Sequence, residues 1–475
     1  MPPSLQAAAP VDERSAATVP WTMVCLSLVT LLSSLATSIA NVGLPTLMRA
    51  FDSSFQAVQW VVLAYLLAIT TLVVSVGRLG DLFGRRRLML AGIAVFTVAS
   101  LACGVAQELW ALIAARAAQG LGAAVMLALA IALVGDAVPK ERVGSTMGFL
   151  GTMSAVGTAL GPSLGGALIA MSGWQAIFLI NVPLGLLAFS LAHRHLPPPA
   201  AHGARQSFDF GGSALLALTL ATYALAMTFG RGDFGPANAM LLCGAFLGAG
   251  LFLRVESRAR FPLLRPDLLR HPMVGSGFAM SSLVTTVAMT TLVVGPFHLA
   301  GALHLDPAAV GLVMSTGPLV AALAGVPAGR AIDRFGAARA TVAGLVSMVA
   351  GCLALSLIPA AYGVWGYVVP LVGVTAGFAT FQAANNTAVV TSVEAGERGV
   401  VSGLLSLSRN LGLITGASAM GAVFSVVAGA DHIGSASAEA VASGTHATFA
   451  VAAILITVAL VPAMRGARAN PGERS

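Results

Sequence analysis

Fourteen apolar runs, separated by short polar punctuation, account for most of the chain. They lie at residues 21–42, 59–76, 88–106, 110–134, 144–171, 177–192, 210–229, 237–253, 273–299, 308–328, 340–358, 364–390, 400–428 and 445–464. Each is of the length that crosses a hydrocarbon core, which takes about 20 apolar residues as a helix. The pattern predicts an all-α polytopic membrane protein. Its runs group as six, two and six: a first block at 21–192, an inserted pair at 210–253 and a last block at 273–464. Polar segments at 193–209 and 254–272 separate these blocks, and polar tails occupy 1–20 and 465–475.

Charge supports this division and orients it. Only 9% of residues are charged and 57% are hydrophobic, whereas a soluble domain carries about 25% charged residues. The net charge of +7 would by itself fit an anionic polymer as partner. Its placement argues against nucleic acid: of 24 arginines and Lys140, 21 positive charges fall in alternate loops and tails, which makes those the cytoplasmic side. Both termini are then expected in the cytoplasm of a cell with this chain in its inner (plasma) membrane. Arg49 and Arg231 lie outside, and Arg116 and Arg409 lie within apolar runs. The first twenty residues, with Asp12, Glu13 and Arg14 and no apolar core, do not read as a cleaved signal. The four cysteines sit in apolar runs and show no metal-ligand spacing, so neither a disulfide framework nor a metal site is expected. The chain has no GxxxxGK[ST] loop, which makes direct coupling to ATP improbable on chemical grounds. No cofactor is expected.

The loop at 77–87, GRLGDLFGRRR, lies between the second and third runs. A positive-inside loop explains Arg78, Arg85, Arg86 and Arg87. It does not explain Gly77, Asp81 and Gly84, because an acid at the bilayer mouth is costly unless paired. The same loop recurs at 329–339 as GRAIDRFGAAR, with six identities at an offset of 252, including Asp81/Asp333 and Gly84/Gly336. Glu141-Arg142 and Glu397-Arg398 repeat at an offset of 256. Two echoes at nearly one offset indicate duplicated halves, a known transporter plan.

Other polar or small residues mark the interior of the runs. Residues 35–45 read LATSIANVGLP and hold Asn41; Trp60 and Tyr65 open the second run; 116–122 read RAAQGLG. Arg116 lies about 9 Å inside its run at 1.5 Å per residue, within snorkelling reach of the interface. Gly157, Gly161 and Gly165 recur every four residues and make one flat face, and Pro162 beside them lacks a ladder donor. That face is a packing surface, a hinge or both. Phe381, Gln382, Asn385 and Asn386 place amides in the 364–390 run, with Gln382 and Asn385 expected on one face. Arg409 lies about 14 Å into its run, near the middle of a ~30 Å core, where an arginine is functional by default. His298 is either structural or a proton carrier.

These motifs, in this order, resemble the major facilitator superfamily, and the count of fourteen resembles its drug:proton antiporter branch. The resemblance implies two six-helix halves plus two inserted helices that rock about a central site. It implies export of small organic molecules by proton antiport. The flat glycine-proline face is similar to the superfamily's exporter motif, with Gly157, Gly161, Pro162 and Gly165 as a helix-packing hinge. Gly77, Asp81, Gly84, Arg85, Arg86, Asp136, Arg142 and Asp333 are implied as a cytoplasmic latch, with Arg85 or Arg86 pairing with Asp136. Substrate is expected among Asn41, Trp60, Tyr65, Arg116, Phe381, Gln382, Asn385 and Arg409. The branch usually carries an aspartate where this chain has Ala36, so the coupling carboxylate is missing from its usual place. A uniporter or importer of a neutral or acidic metabolite, and a membrane sensor or enzyme on the same scaffold, are the alternatives. The expected partners are a small-molecule substrate, protons and the lipid bilayer, with the chain acting as a monomer.

Overall fold

The structure is a computed structural model that describes residues 13–73, 76–137, 140–196, 210–229, 235–258, 270–394, 398–429 and 436–469. Among the described residues there is no strand, and fourteen helices are long and apolar enough to cross a membrane. These are α1 (Trp21–Ala50), α2 (Phe55–Val73), α3 (Arg85–Gly104), α4 (Leu109–Val134), α5 (Thr152–Ser172), α6 (Ala176–His195), α7 (Gly211–Thr228), α8 (Pro236–Glu256), α9 (Pro272–Ala302), α10 (Pro307–Phe335), α11 (Ala337–Leu357), α12 (Gly363–Thr391), α13 (Leu404–Ala428) and α14 (Ala438–Arg465). The arginine-rich loops lie at one end of the bundle, called the basic end below; the opposite end is the far end.

Lipid gives no hydrophobic drive for helices to associate, so close backbone approach through small residues holds them together. The structure uses this device twice, at the offset seen in the loops. Where α3 crosses α4, a Cβ on Gly122 would lie 2.7 Å from Gly92 O and 2.6 Å from Phe96 N. Where α11 crosses α12, a Cβ on Gly344 would lie 2.7 Å from Gly377 O and 2.8 Å from Phe381 N. Gly92 and Gly344 are 252 residues apart. Likewise α5 lies on α1 through Gly157, Gly161 and Gly165, which face Leu31, Ser38 and Ile39. In the second half α13 lies on α9 through Gly412 and Gly416, which face Ser282, Thr285 and Thr286. The duplication read from two loops is therefore also a duplication of helix crossings. The flat glycine face of α5 packs within its own half.

The halves meet along α5 with α10, α2 with α13, and α1 with α9. The buried apolar residues show where. One continuous cluster joins the second half to far-end residues of the first, among them Ile39, Leu47, Phe55, Ile169 and Phe178. A second cluster, with Cys25, Val29, Tyr65, Met89, Met126 and Leu133, is confined to the basic end of the first half. Among the described residues, the halves thus share a core at the far end and no common buried cluster at the basic end.

The inserted pair forms a stiff hairpin. Asn238 donates through Nδ2 to Ala226 O and Phe229 O, both at 2.8 Å, and its Oδ1 accepts from Gly235 N at 3.1 Å. One amide thus satisfies the carbonyls left open at the end of α7 and caps the start of α8. The hairpin touches both halves: Trp60 Nε1 on α2 donates to Thr228 Oγ1 at 3.0 Å, and Tyr223 OH donates to Thr415 Oγ1 at 3.2 Å.

Candidate functional site: the cleft between the halves

Closure of the far end rests on named contacts. Gln56 donates to Ser425 Oγ, and Gln59 Nε2 donates to Ala417 O at 2.8 Å, both from α2 to α13. Phe55 packs edge-on against Phe297 and tilted against Phe424, with centroids 4.7 and 5.3 Å apart. On the other seam a Cβ on Gly311 would lie 2.9 Å from Gly166 Cα. Toward the basic end the same side of α13 carries Leu413 and Arg409, and here the helix is open. Arg409 is exposed although it lies within the span, and its Nη2 reaches Ser406 Oγ at 3.5 Å. Protein atoms nevertheless crowd it from most directions. Both hold for a side chain on the wall of a deep cleft.

Arg116 behaves differently. It is 0% exposed. Its Nε donates to Val61 O at 2.9 Å, and its Nη1 donates to Ala36 O at 3.3 Å and to Gln119 Oε1 at 2.5 Å. Gln119 passes the bond on to Ser100 Oγ at 2.7 Å. The guanidinium also lies 4.1 Å from the Tyr65 ring centroid, a favourable cation–π distance. These bonds tie α1, α2, α3 and α4 into one body. Nη2 alone has no protein partner, on a helix that faces Ala36 rather than a carboxylate.

Most residues expected to bind substrate are likewise committed to packing. The Tyr65 hydroxyl donates to Ser33 O at 2.9 Å. Asn41 Nδ2 donates to Thr37 O at 3.2 Å. Trp60 is turned to the inserted hairpin. Phe381 is fully buried at the α11–α12 crossing. Asn385 Nδ2 donates to Gly277 O at 3.1 Å, and the residue borders a separate cavity of about 280 Å³ between the basic ends of α9, α11, α12 and α14. On α12, Gln382 and Asn386 are less buried than Asn385. These two are half-buried, and each has a carbonyl oxygen without a partner. Arg409 is therefore the expected substrate residue left open in this conformation, with Gln382 and Asn386 half-buried. His298 is 7% exposed and stacks on Tyr367, with centroids 5.6 Å apart.

Among the described residues, the first latch loop packs within its own half. A short helix, Val76–Phe83, packs on α2, α3 and α4 of its own half. Gly84 follows at φ 86°, and Gly336 at the repeated position has φ 82°. Both turns need the left-handed half of the map, which only glycine enters freely, and this accounts for the repeated glycine. Arg86 donates to His193 O, within its half. Asp333 is exposed, and Phe83 and Phe335 are 63% and 50% exposed. The side chains of Asp81, Asp136 and Arg142, and the surroundings of Gly77, lie outside the described residues. Arg85 has an interaction partner in the structure.

Sequence reasoning missed Gln56, Gln59, Tyr223, Thr228 and Asn238. The signal for the glutamines was present. An amide within a spanning helix is costly in lipid, and two of them three residues apart, followed by a tryptophan, mark a contact between helices.

A duplicated bundle of spanning helices, closed at one end and open in a cleft at the other, defines a membrane transporter. The family comparison agrees: the model of the Major Facilitator Superfamily matches residues 26–255 and 274–474, and the chain belongs to that superfamily. Among curated relatives, the uncharacterized transporter YebQ of Escherichia coli is 32% identical over 89% of this chain and 90% of its own length. The riboflavin transporter RibZ of Clostridioides difficile is 30% identical over 81% and 84%. The drug efflux pump JefA of Mycobacterium tuberculosis is 32% identical over 83% and 78%. Solved structures share the fold at low identity. A bacterial homologue of the human lysosomal transporter Spinster has a TM-score of 0.69 at 14% identity, covering 95% of this chain and 97% of its own. The peptide transporter POT has a TM-score of 0.69 at 16% identity, covering 96% and 99%.

Proposed function

We propose that this chain is a secondary active exporter of small organic molecules that are neutral or acidic, working by alternating access and proton antiport in the plasma membrane as a monomer. The basic end is the cytoplasmic side, so the conformation described is inward-open. The observation that carries the substrate class is Arg409, open on the cleft wall. All eighteen acids of the chain lie at span ends or in loops. A cation in the cleft with no carboxylate beside it favours anions and dipoles and repels dications. Gln382 and Asn386 have buried carbonyl oxygens without partners, which would meet the N–H and O–H groups of a polar ring system only after the side chains turn. The relatives named for riboflavin and for drug efflux support this class.

The reading is tested with purified protein in proteoliposomes under an imposed pH gradient. Riboflavin serves as a neutral probe, an acidic dye as an anion and methyl viologen as a dication. Uptake of the neutral or acidic probe into vesicles that are acid inside, abolished by a protonophore, is the expected result. Robust transport of methyl viologen with the acidic and neutral probes ignored refutes the substrate class. Transport indifferent to the gradient refutes antiport and leaves a uniporter.

A further inference from the structure

The hinge motif of α5 has a second copy that the loop repeats did not reveal. Residues 157–167, GTALGPSLGGA, align with 412–422, GLITGASAMGA, at an offset of 255. Gly157/Gly412, Gly161/Gly416, Ser163/Ser418, Gly166/Gly421 and Ala167/Ala422 are identical. Both copies depart from regular helix bonding at the same place. In α5, which stays α-helical throughout, the departure is Pro162, which lacks a ladder donor. In α13 it is a five-residue π-helix, Gly416–Met420, an irregularity that frequently marks functional sites.

Each departure then meets the opposite half. A Cβ on Gly311 of α10 would strike Pro162 O. Across the other seam, Ala417 O, at the position aligned with Pro162, accepts from Gln59 Nε2 at 2.8 Å. A Cβ on Gly421 would strike that same amide. Gly311 and Gln59 are 252 residues apart, the offset of the hallmark loops. The two seams are one contact made twice, with a single difference. The α5–α10 seam closes glycine on glycine. The α2–α13 seam closes through a glutamine that reaches over. That closure is incompletely satisfied, because the Oε1 atoms of both Gln59 and Gln56 are buried without partners. An unmade bond of this kind costs free energy in the closed seam and is recovered when water enters.

We infer that Gln59 and the π-helical segment Gly416–Gly421 form the releasable catch of the far-end gate, and that Gln59 is a positioning residue for the transport cycle. The inference rests on the rocking of the halves proposed above.

The test measures the gate itself. Spin labels at Ala50→Cys and Glu439→Cys, on exposed far-end positions of the two halves, report its opening by pulsed electron resonance in the full chain in nanodiscs. Cys243, the one exposed native cysteine, is first replaced by serine; the other three are buried. Gly421→Ala must push the Gln59 amide off Ala417 O, and it is expected to raise the long-distance population about tenfold relative to the short one. In a Gln59→Ala background the same substitution is expected to change the ratio less than about twofold, because the displaced group is gone. Gln59→Met, which keeps the length and removes the donor, should shift the ratio as Gly421→Ala does. Equal effects of Gly421→Ala in both backgrounds, or an unmoved distribution in Gln59→Met, overturn the inference. Should Gly421→Ala fail to fold, the Gln59→Met measurement decides alone. Failure of the rocking itself has a separate signature: the parent protein shows one far-end distance at every substrate concentration and every pH.

Discussion

Replacing Arg409 by alanine removes the cation that, among the described residues of the apolar runs, the structure leaves open, and the cost should depend on the charge of the ligand. Two unit charges 4 Å apart attract by about 1 kcal/mol in bulk water and about 4 kcal/mol at the effective dielectric of a protein surface. Arg409 is exposed, yet protein crowds it, so its environment lies between those limits. An attraction of about 2 kcal/mol corresponds to roughly thirtyfold in affinity. A neutral ligand loses no more than a hydrogen bond, about 1 kcal/mol or fivefold. The informative comparison is therefore a matched pair, a carboxylic acid and its methyl ester on one scaffold, titrated into purified wild type and Arg409→Ala. The acid should weaken about thirtyfold and the ester fivefold or less. Raising salt from 0.05 to 0.5 M should cost the acid affinity in the wild type and little in the variant, since an exposed attraction is screened. Arg409→Lys should hold an intermediate position, keeping the charge and losing the planar fork. Equal losses for acid and ester in Arg409→Ala would refute the charge argument. Unchanged binding of both would place Arg409 outside the site.

Four further outcomes are expected. Asp81→Asn should abolish export by a protein of normal abundance in the membrane, with Asp333→Asn milder because its loop keeps fewer arginines; normal efflux by Asp81→Asn in vesicles rejects the latch. Gly161→Leu should lower the melting temperature of the purified protein and abolish transport or cause a proton leak, since a Cβ there would lie 2.7 Å from Ser38 Cβ and 2.9 Å from Ile39 N, and overpacking costs about 1–3 kcal/mol; normal transport in both Gly161→Leu and Gly165→Leu rejects the close-packing argument. Tyr223→Phe removes the hairpin's bond to Thr415 and should favour far-end opening about fivefold, read by the spin-label distances; an unmoved distribution means the hairpin rides with α2 alone. Ala36→Asp sets a carboxylate on the helix whose Ala36 carbonyl lies 3.3 Å from Arg116 Nη1 and should bring measurable methyl viologen efflux; its continued exclusion would show that the acid's absence is not what bars dications.

The fold was legible because its causes are coarse. Spanning helices must be long and apolar, and the duplication left six identities in one loop. What escaped was the sense in which each polar residue faces. Arg116 and Arg409 give the same signal in sequence, a guanidinium inside an apolar run. Tertiary packing separates them: carbonyls on α1 and α2 and an aromatic face close over the first, and the splayed seam leaves the second open. Asn385 and Asn386 are adjacent in the chain, yet the first is buried against Gly277 of α9 and the second is half-buried. The catch at Gln59 was hidden for another reason. Its partner is a backbone carbonyl in a π-helix, and neither the carbonyl nor the wide turn has a residue type that announces it.

The two halves were copied, but the seams between them were not left equal. At α5–α10, glycine on glycine brings backbones together with no side chain to rearrange, a contact that can pivot without making or breaking a hydrogen bond. At α2–α13, Gln56 and Gln59 must let go before the far end can part, and α7 lies against the same two helices with one bond to each. Work done against hydrogen bonds is thus concentrated on one side of the molecule. A rocking motion with one smooth edge and one latched edge opens first along the smooth edge. In a wild-type molecule, far-end probes on α5 and α10 should therefore gain mobility before those on α2 and α13, and a symmetric loss of contact at both seams would contradict this order.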